Sequence, residues 1–213
     1  MSCDILPTDK PGPHYQGDAL NILGDGWDLI VAHPPCTYLT CAAEWAYKDE
    51  QKKKIKPGTL IGVERRKARD DALDFVTAIW NAPVDKLAIE NPVGVINKRL
   101  EFMPRPQWIQ QYDFGEDASK KTGLWTRGLE PLRPTKFIDP RWVCGCGYTF
   151  EPGQYDAVGK YGCPNCEGDY QPKPRWANQT DSGQNREPPG ELRWKIRSYT
   201  PQGVADAMAA QWG

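Results

Sequence analysis

The chain has 213 residues and a net charge of −1, from 27 basic against 28 acidic side chains. Its apolar share of 39% is enough for one core, with nine Trp and nine Tyr adding packing area. The charge balance excludes a strong overall pull on nucleic acid but leaves room for a local basic patch. No apolar run approaches the ~20 residues of a membrane span, and the opening MSCDILPTDKPG lacks a basic start followed by an apolar core, so a cytoplasmic protein is expected.

In chain order, SCDIL (2–6) reads as a short strand and the Pro-rich stretch after it, through Asp18, as a loop. Leu29–Ala32 is a continuous apolar run, expected as a strand covered on both faces and stopped at Pro34-Pro35. CTYLTCAAEWAYKDE (36–50) is expected to open a helix after that turn. In ERRKARDDALDFVTAIWNAP (64–83), Leu73, Val76 and Trp80, and again Ala72, Phe75 and Ile79, recur at helical spacing. KLAIE (86–90) is a second buried strand, stopped by Asn91-Pro92; strand, helix and strand in this order predict a βαβ unit in a parallel sheet. A further strand is expected around Leu124–Thr126 and a long loop over 177–198. A short helix closes the chain, with Thr200 as N-cap and Pro201 at its first position.

Seven Cys without a secretion signal argue against a disulfide framework. Cys144, Cys146, Cys163 and Cys166 form C-x-C, sixteen residues, then C-x2-C. Four thiolates in two close pairs make a tetrahedral Zn²⁺ site, and a full ligand set with no open position reads as structural zinc. Gly145, Gly147 and Gly162 supply the turn freedom. A nucleic-acid contact by this ribbon would use Arg141, Lys173, Arg175 and Trp176.

Two strands end in chemically useful groups, Cys36 after HPPC and Glu90 before Asn91-Pro92. Ligands of open parallel sheets bind outside the carboxyl ends of the strands, so thiol and carboxyl are expected to share a cleft. A helix starting at Cys36 would favour its thiolate. A thiolate and a carboxyl without a His base suit addition of sulfur to C6 of a pyrimidine, with a protonated Glu on N3. Proteolysis fits less well: His14 lies in a Pro-rich loop, and His33 is too close along the strand end to partner Cys36 easily.

At these residues the sequence resembles the DNA (cytosine-5) methyltransferases, and in particular small phage and prophage proteins of that kind. DLIVAHPPCTYL resembles the family's strand ending in Pro-Cys and LAIENPVG its Glu-Asn motif, implying Cys36 as nucleophile and Glu90 as the N3 partner. YQGDALNIL and SCDILPTD resemble the segments that meet the adenine and ribose of S-adenosylmethionine, implying Asp18 and Asp4, with Pro34 also at the cofactor. FGEDASKKTGLW and the C-terminal SGQNREPPGELRWKIRSYTPQGVADAMAAQWG resemble later segments of the phage group. Lys120 then faces the target base or its backbone.

The resemblance implies an α/β fold with an incomplete Rossmann-like (methyltransferase-like) parallel sheet and a small zinc-ribbon insert. Residues 1–142 would form the core, 143–176 the ribbon, and 177–213 a loop and helix returning to the core. The chain starts where the family's second strand is expected, without the first strand and its Gly-containing cofactor loop. Its stretch between Trp125 and Thr200 is short for the family's target-recognition domain.

DNA is the implied partner, flipped or single-stranded at the target base, and the host bacterial cytoplasm the implied location. The basic runs KKKIK (52–56) and ERRKAR (64–69) would contact phosphates or form a solvated face, and Tyr38 and Trp45 would stack on a base or pack in the core. Arg193, Trp194, Lys195 and Arg197 form another basic-aromatic candidate. One alternative is an inactive methyltransferase remnant that binds nucleic acid or a bacterial host protein in counter-defence; another is thiolate chemistry on a free pyrimidine nucleotide. Self-association of the chain is a further candidate interaction.

Overall fold

The computed structural model describes residues 1–41, 43–50, 55, 57–151, 154, 163–166, 172–186 and 199–213. Lys52, Lys53, Lys54, Lys56, Gly162, Arg193, Trp194, Lys195 and Arg197 lie outside the described residues. The chain is a mixed α/β protein with parallel and antiparallel sheets, divided into two compact units, Met1–Trp108 with Thr122–Pro131 and Ile109–Lys121 with Leu132–Gly213. No helix among the described residues is long and apolar enough to cross a membrane.

In the first unit, β1 (Ser2–Asp4) and β2 (His14–Gln16) form a parallel pair. The strand at His14–Gln16 falls in the stretch expected as loop; three residues between Pro13 and Gly17 carry no readable alternation. The larger sheet has the order β3 (Leu29–Ala32), β4 (Lys86–Pro92), β6 (Thr122–Arg127), β5 (Gln107–Ile109). β3 and β4 are parallel and β6 runs antiparallel to β4. The expected parallel βαβ arrangement is present as β3, α1 (Gly62–Trp80) and β4. β4 is buried at Leu87, Ala88 and Ile89, whereas β3, expected to be covered on both faces, is only half-buried, as befits the end strand of that order.

Leu73, Val76 and Ile79 of α1 pack into the core with Leu39, Leu87, Ile89, Ile96 and Trp125. The buried stripe of α1 continues toward its N-terminus through Arg65 and Arg69 at i, i+4 spacing. The α1 C-terminus is closed by Arg127 of β6, which donates to the carbonyl oxygens of Trp80, Ala82 and Val84. A one-turn helix, α2 (Ile96–Arg99), follows β4.

Among the described residues of 36–50 the expected helix does not form. Residues 36–39 make turns and Glu44–Tyr47 a single 3-10 turn. A helix needs its carbonyl oxygens for N–H groups four residues on. Here the Leu39 carbonyl accepts instead from Val95 N–H at 2.8 Å, and those of Tyr38 and Thr40 accept from Arg69. Thr40 also bridges to Gly94, where a Cβ would sit 1.9 Å from the Leu39 carbonyl oxygen.

In the second unit, β7 (Arg141–Val143) is flanked antiparallel by β8 (Thr149–Phe150) and β9 (Lys173–Arg175). Trp176 stacks on Tyr112 at 4.1 Å between ring centroids and 8° between planes, and Asn178 exchanges two hydrogen bonds with Ser119. The closing helix α3 (Gln202–Trp212) begins one residue later than expected, with Pro201 rather than Thr200 at the cap. Its Gly203 N–H donates to the Glu116 carboxylate, and Gly203 is required because a Cβ would sit 1.8 Å from the Phe114 carbonyl oxygen.

Candidate functional site

Parallel pairing of β3 with β4 sets Ala32 beside Ile89; β3 ends there, while β4 runs on through Glu90 and Asn91 to Pro92, past the stop expected at Asn91-Pro92, because those residues still pair with Gly123 and Thr122 of β6. His33 then falls beside Glu90, and its Nδ1 lies 3.3 Å from Glu90 Oε2. Just beyond, Asn91 Nδ2 donates to the Pro34 carbonyl oxygen at 2.8 Å, tying the Pro-Pro-Cys turn to the end of β4. Asn91 is 1% exposed, and its Oδ1 has no hydrogen-bond partner among the described residues. The Cys36 thiol is exposed, and the Cys36 carbonyl accepts from the N–H groups of both Leu39 and Thr40 at 3.1 Å. The thiol, on the turn after β3, and the carboxyl, within β4 opposite Leu124 of β6, therefore lie toward the same end of adjacent strands, but the contact to Glu90 is made by His33.

That contact was not legible in the sequence without the strand register. Once Ala32 is aligned with Ile89, the next residues, His33 and Glu90, must be neighbours. The helix expected to present its N-terminus to Cys36 is absent, because the carbonyls at 38–40 are already bonded elsewhere.

Of the cofactor candidates, Asp4 and Asp18 lie near the carboxyl ends of β1 and β2. Asp4 accepts from Leu6 N–H at 2.8 Å and Asp18 from Leu20 N–H at 2.9 Å. Asp4 pairs with Gln16, and Gly17 N–H donates to the Asp4 carbonyl at 2.9 Å, so Asp18 follows at the same end of the pair; burial pushes the thiol of Cys3 up from its ordinary pKa, and the negative charges of Asp4 and Asp18 add to the shift. Two carboxylates there suit the hydroxyl and amino donors of a nucleoside. Pro34 is buried, has no N–H and spends its carbonyl on Asn91, so it offers only apolar ring surface. Lys120 is half-buried and belongs to the second unit.

The basic stretch at 64–69 divides: Arg66 and Lys67 form a solvated face, whereas Arg65 and Arg69 turn into the protein. Arg65 and Arg69 are 7% and 4% exposed. Arg69 binds the 38–44 loop, Arg66 pairs with Asp49 at 2.9 Å, and Lys67 pairs with Asp71 at 2.9 Å. Tyr38 is half-buried under Arg65, whose guanidinium carbon lies 5.3 Å from the ring centroid, and Trp45 is half-buried. Arg141 is likewise held by Asp181 and the Gln179 carbonyl, Arg175 by the carbonyls of Asp181 and Pro174, and Trp176 by its stack on Tyr112. Lys173 is exposed.

In the second unit the sequence-predicted thiols converge. The sulfurs of Cys144, Cys146, Cys163 and Cys166 all lie within 4.8 Å of one another, with Cys144 and Cys163 buried and Cys146 and Cys166 exposed. Cys144 and Cys146 occupy the tight β7–β8 turn, where Gly147 has a φ of 89°. The Cys144–Cys166 and Cys146–Cys163 separations are 3.8 and 3.7 Å. A tetrahedron with Zn–S bonds of about 2.3 Å has edges of about 3.8 Å, so this cluster can hold a metal ion and is compatible with zinc. Asn165 donates its backbone N–H to Cys163 Sγ and its side-chain Nδ2 to Cys146 Sγ. Asn165, then the Tyr148 N–H, hold the Cys146 thiol down to about 6, close to the thiolate a metal requires.

No family model matches the chain, and no curated protein or solved structure matches it either.

Proposed function

We propose that the protein is a cytosine-C5 methyltransferase-like protein of phage type. The observation that supports this reading is the register of β3 and β4, in which the exposed thiol follows the end of β3 on a turn tethered to Asn91, next in chain to the Glu90 carboxyl within β4. Cys36 would add through sulfur to C6 of cytosine while Glu90 holds a proton at N3, leaving C5 nucleophilic. S-adenosylmethionine would supply the methyl group when bound. Loss of the C5 proton and departure of the Cys36 thiolate from C6 would restore the ring. Asp4 and Asp18 would accept hydrogen bonds from the nucleoside part of the cofactor, and Pro34 would give it an apolar wall.

In this reading β1–β2 and β3-β4-β6-β5 are parts of an incomplete Rossmann-like sheet. The Cys144, Cys146, Cys163 and Cys166 cluster is a structural zinc ribbon, and DNA is the partner. The test is a denaturation-resistant adduct with 5-fluorocytosine DNA in the presence of S-adenosylmethionine. The wild type forms it, Cys36→Ala does not, and Glu90→Gln slows it at least tenfold. No wild-type adduct, together with no cofactor binding by calorimetry, would discard the enzymatic reading.

One observation favours a second reading, an inactive remnant that binds nucleic acid or a host protein. Among the described residues the β1–β2 pair is a separate sheet from the one that carries Cys36 and Glu90. Retained function in Cys36→Ala would support it.

A further inference from the structure

A guanidinium is expensive to bury, and it survives in a core only when its donors are used. Arg69 is 4% exposed, and its donors go to one short segment. Nε donates to the Tyr38 carbonyl at 2.9 Å, while one terminal nitrogen donates to the Thr40 carbonyl at 3.3 Å and to Glu44 Oε1 at 2.7 Å. Its guanidinium carbon also lies 3.5 Å from the centroid of the Tyr47 ring, and Tyr47 closes the circuit by donating its hydroxyl to the Tyr38 carbonyl at 3.2 Å. Arg65, one turn earlier on α1, lies between the Tyr38 and Tyr47 rings at 5.3 and 4.8 Å from their centroids.

These donors do for the segment what helix N–H groups would otherwise do. The sequence from Cys36 to Asp49 has the composition of a helix, with Ala43, Glu44 and Ala46 among its residues, and Arg69 occupies two of the carbonyls a helix would need. The path that remains is anchored two residues after Cys36 by Arg69 and three residues after it by the Leu39–Val95 hydrogen bond. Two residues before Cys36, Asn91 holds Pro34. The thiol is thus suspended between two fixed points on an otherwise exposed turn.

We propose that Arg69 is a positioning residue for Cys36: from α1 it clamps Tyr38, Thr40, Glu44 and Tyr47 in the non-helical path that fixes where the sulfur is presented. The functional half of this inference rests on the methyltransferase-like reading; the clamp itself does not. Its role also differs from the phosphate contact that a basic run on α1 suggests. A phosphate contact sets how tightly DNA binds and how that binding falls with salt. A positioning residue sets the rate at saturating DNA and leaves the half-saturating concentration in place.

The test uses Arg69→Lys, which keeps the charge but loses the fork, and Glu44→Gln, which removes the loop's exposed acid and leaves the buried arginine in place. Hydrogen exchange of the 37–48 peptide is compared with that of β4 (86–92), and the 5-fluorocytosine adduct rate is measured against DNA concentration at two salt concentrations. Expected for Arg69→Lys is at least fivefold faster exchange in 37–48 with β4 unchanged, at least a tenfold lower maximal adduct rate, and an unchanged half-saturation and salt slope. Glu44→Gln is expected to move exchange and maximal rate in the same directions by two- to threefold. Unchanged exchange of 37–48 in both variants overturns the clamp. Faster exchange with an unaltered adduct rate, or an effect confined to half-saturation and salt slope, overturns the positioning role. If the wild type forms no adduct, the methyltransferase-like reading and the positioning of its sulfur fall, and exchange alone decides whether the clamp exists.

Discussion

Cysteine has opposite surroundings in the two units. Cys36 is presented by a scaffold that exists without it: Leu87, Ala88 and Ile89 of β4 are fully buried, and the turn is tied down by Asn91, Arg69 and the Leu39–Val95 hydrogen bond. Around the four-thiol cluster the buried set among the described residues is Cys144, Phe150 and Cys163, with Trp142 and Tyr148 packed against it. Among the described residues that is little apolar area to offset the ordering of the strands around it; in the proposed zinc-ribbon reading a bound metal would join the sulfurs into the scaffold.

The sharpest way to break this comparison is to remove the metal. Structural zinc in small peptides contributes on the order of 10–16 kcal/mol of apparent binding free energy that is also folding free energy. Chelation, or Cys163→Ser, is therefore expected to erase exchange protection in β7–β9 while β4 keeps its own. Mass measurement should give one zinc per chain before treatment. Full protection of Trp142 and Phe150 in metal-free protein would show that packing suffices, and the contrast between the units would disappear.

A smaller effect probes the opposite side. Gly94→Ala places a methyl 1.9 Å from the Leu39 carbonyl oxygen and 3.1 Å from Thr40 Cα, both backbone atoms that cannot swing away. Overpacking of this kind costs about 1–3 kcal/mol, expected as a lower urea midpoint, with faster exchange at 37–48 and zinc content unchanged. A variant as stable as the wild type would mean that the Thr40–Gly94 bridge does not hold the turn.

The same contrast explains what the sequence made legible. The thiol cluster is local: four cysteines at knuckle spacing declare their own geometry, and they converge as expected. β3, α1 and β4 were readable because apolar periodicity reflects the core they share. The chemistry of the Cys36 turn was only half readable. Residue type and strand order bring Cys36 and Glu90 to one sheet end, but the partner of Glu90 depends on register, which places His33 beside it. The helix expected after Cys36 failed because local propensity counts residues such as Ala43 and Ala46 and is blind to an arginine on another element that takes the carbonyls. Arg65 and Arg69 were misread for the related reason that a basic run on a helix looks solvated until the loop it covers is known.

The finest test of the comparison is acid. In the first unit the Arg69 hydrogen bond holds the carboxyl of Glu44 below its ordinary value of 4.5, with desolvation opposing and the positive charges of Arg69, Arg99 and Lys98 assisting. A carboxyl with a depressed pKa in the folded state contributes stability that is fully present above its unfolded value and is lost as pH falls through the folded one. The clamp is therefore complete at pH 6 and should loosen below 4.5. Glu44 is about half exposed, with 52% of its side chain accessible, so solvent screening keeps the effect small. After correction for intrinsic rates, exchange of the 37–48 peptide should rise by no more than about threefold between pH 6 and pH 3, and this increment should be absent from Glu44→Gln. Acid also protonates thiolates and releases zinc, so over the same range β7–β9 should lose protection in a single cooperative step, unaffected by that substitution. An acid response of the 37–48 peptide that persists in Glu44→Gln would assign the loosening to another carboxylate, with Asp49, paired with Arg66, the next on the loop.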